Sequence, residues 1–353
     1  LRGVAAVTAI LLLAAGAAFS RSGDAPGVPE SPSPSSKKGA PSGGPAVSTL
    51  GAPAPVPPSA LRFAPRARRL TTYTNVVRLE ITTRDVTFEA PPAYQQSFAF
   101  WSGRMKGETK IELFEFQTLT QERAGEGTVP FKRTLPRFQV ELQKQGGPPQ
   151  EPYGTLQSDV TSLAWEGTLD AFGNVKEIHR VAGKENPEFA DLGLEQIESV
   201  FPRAGEPKEI PVGAGFTESG RFPLPTPLHI KGLEKVGMVM TREYRLRDVK
   251  GEVATFDVTV SYANDPATPV TAPGTTCVIA GGGKGELVFE TRRGVFLSSR
   301  LPTTMTIDIK APLRPLPDKP ETATPGAATT HMTIDLLLSA EQTAKRVWGE
   351  EED

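Results

Sequence analysis

The sequence predicts a mainly β protein of the α+β class, a curved antiparallel sheet of hairpins packed on one amphipathic helix. Three observations carry this. Apolar side chains recur at every second position over long stretches, which puts them on one face of a strand. Three such stretches are split by short loops ending in glycine, and one segment alone repeats its apolar residues at helical spacing.

The clearest hairpin is 238–262. Met238, Met240, Tyr244 and Leu246, then Ala254, Phe256, Val258, Val260 and Tyr262, point one way, while Thr241, Glu243, Thr255 and Asp257 are among those pointing the other. Val249-Lys250-Gly251 reads as a three-residue loop closed by a left-handed glycine. Counting outward from Asp248 opposite Glu252 sets Leu246 against Ala254, Tyr244 against Phe256, Met240 against Val260 and Met238 against Tyr262. Arg242 is the one charge on this face. Met238, Met240, Tyr244 and Phe256 are the candidate ligand-binding residues.

Residues 1–20 have a basic start and an apolar run, the pattern of a secretory signal peptide cleaved after Ala17 or Ala18, or of an uncleaved anchor. Residues 21–60 are rich in Pro, Ser and Gly and read as a disordered tether, since they lack the apolar surface to offset ordering entropy. A basic cluster, Arg62, Arg66, Arg68 and Arg69, then leads into a β-rich domain over 61–340, with a possible sub-boundary at the Gly/Pro loop 144–158. It reads either as a solvated approach to the fold or as a contact for an anionic surface.

Strands are expected at 73–83 and 109–121, the second with a bulge where its phase slips between Leu113 and Phe114. A third at 131–142 carries Pro136, which favours an edge. Leu163, Trp165, Gly167 and Leu169 meet Val175, Glu177, His179 and Val181 across Ala171-Phe172-Gly173. The helix follows, capped by Asn186 with Pro187 in its first turn. Its stripe is Phe189, Leu192, Ile197, Val200 and Phe201, backed by Glu188, Asp191, Glu195 and Glu198. A third hairpin turns at Arg292-Arg293-Gly294 and sets Phe289 against Leu297. Met332, Ile334, Leu336 and Leu338 form the last strand, and 341–353 read as a partly helical acidic tail. Strand directions place the long connections 263–284 and 311–330 at one end, a rim carrying Asp265, Cys277, Lys284, Arg314, Asp318 and Lys319.

Several chemistries are excluded or weakened. A net charge of −2 gives no electrostatic footprint for nucleic acid. One cysteine, Cys277, and the scattered His179, His229 and His331 offer neither a disulfide framework nor a zinc cluster. The run 280–285 lacks the first glycine, the Ser/Thr and the following helix of a phosphate-binding loop. Glu166 and Asp170 flank a turn and need only solvation. No catalytic residues, metal site or cofactor are expected.

The turn 169–175 with its Asp and Gly, the helix, Phe201-Pro202 and Ile210-Pro211-Val212-Gly213-Ala214-Gly215-Phe216 together resemble a family of uncharacterised exported bacterial β-rich proteins, in which the last aromatic is more often Trp. More distantly, over 159–338, the pattern is similar to LolA/LolB-type lipoprotein carriers. That resemblance implies a curved sheet around helices enclosing an apolar cavity. The function expected is therefore non-enzymatic: an exported periplasmic or cell-envelope protein binding an apolar ligand or lipid-bearing partner on the sheet's concave face. The alternative is a tethered structural or protein-interaction module, and the third reading a hydrolase. The membrane is met only through a possible uncleaved anchor.

Overall fold

The computed structural model describes residues 59–121, 127–151, 160–183, 201–223, 236–313 and 326–347. They form thirteen strands: β1 (Ala60–Phe63), β2 (Thr71–Glu89), β3 (Glu108–Thr120), β4 (Thr128–Lys144), β5 (Ala164–Asp170), β6 (Val175–Ala182), β7 (Lys208–Pro211), β8 (Gly215–Pro223), β9 (Gly237–Lys250), β10 (Val253–Asn264), β11 (Thr276–Glu290), β12 (Val295–Pro312) and β13 (Ala327–Arg346). The described helix, α1 (Pro92–Met105), joins β2 to β3.

Eleven strands make one antiparallel sheet in the order β6-β5-β4-β3-β2-β13-β12-β11-β10-β9-β8, while β1 and β7 pair separately. The mainly β class holds. The expected helix and its stripe and acidic row, apart from Phe201, lie outside the described residues, as do the segments 1–20 and most of 21–60. Helix α1 was not anticipated. It opens with Pro at its first turn, and Ser102 Oγ donates to the Val86 carbonyl at 2.7 Å, tying it to β2.

The sheet is curled. Ten intervals between eleven strands, at about 4.8 Å each, would separate its edges by roughly 48 Å if flat. Yet the Phe63 ring lies 5.3 Å from Phe216 on edge strand β8, and Ala67 N donates at 3.0 Å to Ala171 in the β5–β6 turn of the opposite edge. The four residue steps from Phe63 to Ala67 reach about 14 Å at most. Adjacent residues Arg203 and Ala204 bridge the same gap, Arg203 N donating to Glu218 at 2.6 Å and Ala204 N to Asn174 at 3.1 Å.

Glycines in β11 accommodate this curvature. Gly281 has φ +137°, and a Cβ there would lie 2.1 Å from the Thr304 carbonyl oxygen. The run expected to be a loop is therefore strand, paired on both sides, and the connection after β10 shrinks to 265–275. Cys277 and Lys284 leave the rim. Arg314, Asp318 and Lys319 lie outside the described residues, and Asp265 is 5% exposed.

Bulges move the registers. A shift between Thr255 and Phe256 sets Leu246 against Phe256, Tyr244 against Val258, Met240 against Tyr262 and Met238 against Asn264, so Tyr244 and Phe256 are diagonal rather than direct partners. The turn is two residues, Gly251-Glu252, with Gly251 at φ +60°, as a type II′ hairpin requires of its first central residue. A second bulge at Val288/Phe289 sets Phe289 against Phe296 instead of Leu297, across a four-residue turn. The phase slip expected in β3 does not occur, because Lys110, Glu112, Phe114, Phe116 and Thr118 face inward in unbroken alternation; the bulge is in β4, where Leu135 and Pro136 stand opposite Phe116, and Pro136 lies just past the end of the β5 ladder. β13 extends to Arg346, so the tail begins later than expected and its first residues are strand.

Because Gly251 faces open space, substituting it tests conformation alone. Gly251→Val should destabilise by about 1–2 kcal/mol in urea titration. Lys250→Ala, removing one exposed ion pair with Asp248, should change stability little.

Candidate functional site

The inner face of the curled sheet is the largest organised surface. β9 contributes Met238, Met240, Tyr244 and Leu246; β10 contributes Ala254, Phe256, Val258 and Val260. With the inward residues of β11, β12, β13 and β2 they form one continuous apolar cluster. Val77, Phe114, Phe138 and Trp165 form a second across β2 to β5. The four candidate residues share the first cluster: Met238 and Phe256 are 0% exposed, Tyr244 3% and Met240 9%.

β1 and β7 cover the aromatic end of this face. The Phe63 ring sits 4.9 Å from Phe289, 5.7 Å from Phe256 and 6.3 Å from Phe296, and Phe216 stacks on Tyr244 at 4.8 Å. Lys208 Nζ lies 3.9 Å over the Phe216 ring, a cation–π contact that seats β7.

Charge enters the inner face at three places, one of them Arg133 on β4, 2% exposed, whose Nε donates to Thr118 Oγ1 at 3.0 Å and whose guanidinium lies 4.9 Å over the Phe131 ring. Arg242, the expected interruption, is 4% exposed and reaches Glu218 on β8 at 3.5 Å. Burial pushes the Glu218 carboxyl up, against the pull of Arg242. On β3, Lys110 Nζ lies 2.6 Å from Glu112 Oε1, with the side chains 7% and 0% exposed. The contact is a close ion pair cut off from water. Sequence reasoning missed this pair. Its only signal was two charges at i and i+2 beside apolar Ile111 and Leu113, which reads as a solvated strand face.

Elsewhere the sequence-level candidates stay apart. Cys277 is buried, and burial pushes its thiol up to about 11, so it remains protonated at neutral pH. His179 lies on β6 and His331 on β13, the latter with Nδ1 2.7 Å from Asp308 Oδ1; His229 lies outside the described residues. Glu166 pairs with Lys132 at 2.6 Å, and Asp170 accepts from Phe172 N and Asn174 N within its own turn. Among the described residues no three His, Cys, Asp or Glu side chains converge as metal ligands.

On the outer face, a groove of about 340 Å³ lies between β2, β13, β12 and β11. Arg84 Nε donates to Asp335 Oδ2 at 2.8 Å and Thr304 Oγ1 to Asp335 Oδ1 at 2.8 Å. Its lining includes no histidine, cysteine or lysine. It can hold a small polar group, and its hydroxyl–carboxylate pair, Thr304 and Asp335, is tied up with Arg84.

No protein-family model matches the chain, and no curated protein does either. Among solved structures, it is similar to the outer membrane protein OprG from Pseudomonas aeruginosa at 6% identity, covering 80% of this chain and 99% of that one, with a TM-score of 0.19. At that score the likeness carries no argument. The outward positions here, such as Glu243, Arg245, Arg247 and Asp257, are charged, unlike the apolar band of a membrane-spanning barrel. No described helix is long and apolar enough to cross a membrane.

Proposed function

We propose that this is a non-enzymatic, exported cell-envelope protein acting as a tethered protein-interaction module, whose partner binds the outside of the curled sheet. The observation that carries this is the filled inner face. Met238, Leu246, Ala254, Phe256, Leu287, Phe289 and Met305 are all 0% exposed, leaving no water-sized space against them. A carrier of apolar molecules needs a cavity of several hundred Å³. Titration with the apolar dye N-phenyl-1-naphthylamine tests the reading: no saturable fluorescence rise is expected, and saturable micromolar binding would overturn it.

A second reading, the apolar ligand or lipid-bearing partner, draws on one specific feature. β1 and β7 form a sheet of their own, and Phe63 occupies the aromatic patch as a ligand would. An eight-stranded barrel is just filled by its own side chains, so an eleven-stranded sheet needs inserted material. The resemblance to LolA/LolB-type carriers favours the same reading. On it, displacing β1 uncovers Phe256 and Phe289, and Phe63→Ala should bind the dye where the wild type does not.

A further inference from the structure

We propose that the groove on the outer face of the sheet binds a neutral, extended oligosaccharide of the β-1,4-linked kind. The site stands apart from the protein partner proposed above. It begins with a floor that no side chain can fill. Gly282 and Gly283 of β11 line the groove, and a Cβ would lie 2.2 Å from the Val260 carbonyl oxygen at the first and 2.1 Å from the Pro302 carbonyl oxygen at the second. Strands β12, β13 and β2 supply the walls. The volume, about 340 Å³, falls at the lower end of the roughly 300–1,000 Å³ of small-molecule sites. One wall is shaped by a bulge. Thr333 pairs with Asp85 and Ile334 with Thr83, which leaves Arg84 between them unopposed and turns its guanidinium onto Asp335.

Asp335 is the fixed point of the site. Its Oδ2 accepts from Arg84 Nε at 2.8 Å, with Arg84 Nη2 2.5 Å from the same oxygen, and its Oδ1 accepts from Thr304 Oγ1 at 2.8 Å. These bonds set the plane of the carboxylate. A carboxylate has about four acceptor positions, so one on Oδ1 stays open to a ligand. Each charge lining the groove already has its opposite beside it: Asp335 has Arg84, and Glu80 lies 3.6 Å from Arg78. A charged ligand therefore gains no pairing that the protein does not already make. Arg84, held by Asp335, is the one cation in the lining, so a phosphate finds no free partner. What the groove does offer is threonine hydroxyls, which both donate and accept, beside the apolar surface of Pro302 and Leu337. Hydroxyl groups around a C–H face are the chemistry of a neutral sugar.

The hydroxyls continue in register on both sides of the groove. Thr304 stands opposite Gly282, Gly282 opposite Ser261, Ser261 opposite Thr241 and Thr241 opposite Ser219. In the other direction Asp335 stands opposite Thr82, and Thr82 opposite Thr109. From β8 to β3 this line crosses seven strand intervals of about 4.8 Å, roughly 34 Å in all. One interval is close to the length of one pyranose in an extended β-1,4-linked chain, so successive sugars meet successive strands. A peptide is not served in the same way. Strands β11, β12, β13 and β2 are each paired on both sides, which leaves no backbone edge for strand addition.

Calorimetric titration of the full chain with cellohexaose and with chitohexaose tests the proposal. At least one should bind saturably, with an affinity that holds as salt is raised, because no ion pair forms on binding. Thr304→Val deletes one hydroxyl at nearly constant shape, and Asp335→Asn replaces one carboxylate oxygen by a donor. Each should weaken binding roughly tenfold. Thr255→Val, on the same outer face at the tight-turn end of β10, should bind as wild type. Binding of neither sugar, an affinity that falls steeply with salt, tighter binding of the curled maltohexaose, or wild-type affinity in both groove variants would overturn the proposal. If Asp335→Asn melts early, Thr304→Val and the preference between the extended and curled sugars decide.

Discussion

Phe63→Ala should lower stability by about 3–5 kcal/mol, the range for deleting a buried phenyl ring. Phe63 is 2% exposed and touches rings from β8, β10, β11 and β12, so no single neighbour can collapse into the space it leaves. Ring pairs of this kind add about 0.5–1.5 kcal/mol beyond the area they bury. Urea titration should show a lower midpoint at unchanged slope, and Phe63→Leu should lose far less. An unchanged midpoint for Phe63→Ala would mean that β1 lies on the core without belonging to it. The inner face would then be open in solution, and the interaction-module reading would fall with it.

The sheet was largely legible because period-2 alternation depends on which side chains avoid water. The strands at 237–250, 253–264, 295–312 and 327–346 follow their apolar phases closely. Partner choice was only half legible. Turn glycines announced the neighbouring hairpins, and Gly173, Gly251 and Gly294 do have positive φ. The ladder between β13 and β2, which joins the two ends of the domain, has no sequence signal, because it is set by how the whole sheet curls. Registers failed at Thr255/Phe256 and Val288/Phe289 because a bulge adds one residue without breaking the alternation on either side. The glycine run 281–283 has the composition of a loop, although glycine within a strand also permits a sharp bend. Of the site, the apolar face was legible, and what covers it was not. β1 is a four-residue strand whose burial depends on partners more than a hundred residues away.

Lys110→Met alone should destabilise by about 3–5 kcal/mol, whereas Lys110→Met/Glu112→Leu should be neutral or up to about 4 kcal/mol more stable than wild type. Glu112 is 0% exposed, with Leu79 and Val140 as its cross-strand partners, so removing the ammonium leaves a carboxylate with neither water nor partner. With both charges gone, no desolvation cost remains, and the replacements extend the apolar surface. The pair also has a pH signature. Burial pushes the Glu112 carboxyl up and the Lys110 ammonium down, in each case overcoming the attraction between them. A carboxyl raised on folding contributes stability that is complete below its unfolded value and lost as pH rises through its folded one. A lysine lowered on folding carries its penalty at pH below its folded value and sheds it as pH climbs towards the unfolded one. Wild type should therefore lose stability relative to the double variant between acid and neutral pH, and recover it on the alkaline side. Urea titrations of both proteins across that range would show the double variant's advantage peaking near neutrality. An advantage independent of pH would mean that folding shifts neither group, and a double variant as unstable as Lys110→Met would mean the ion pair, rather than its desolvation, dominates at this position.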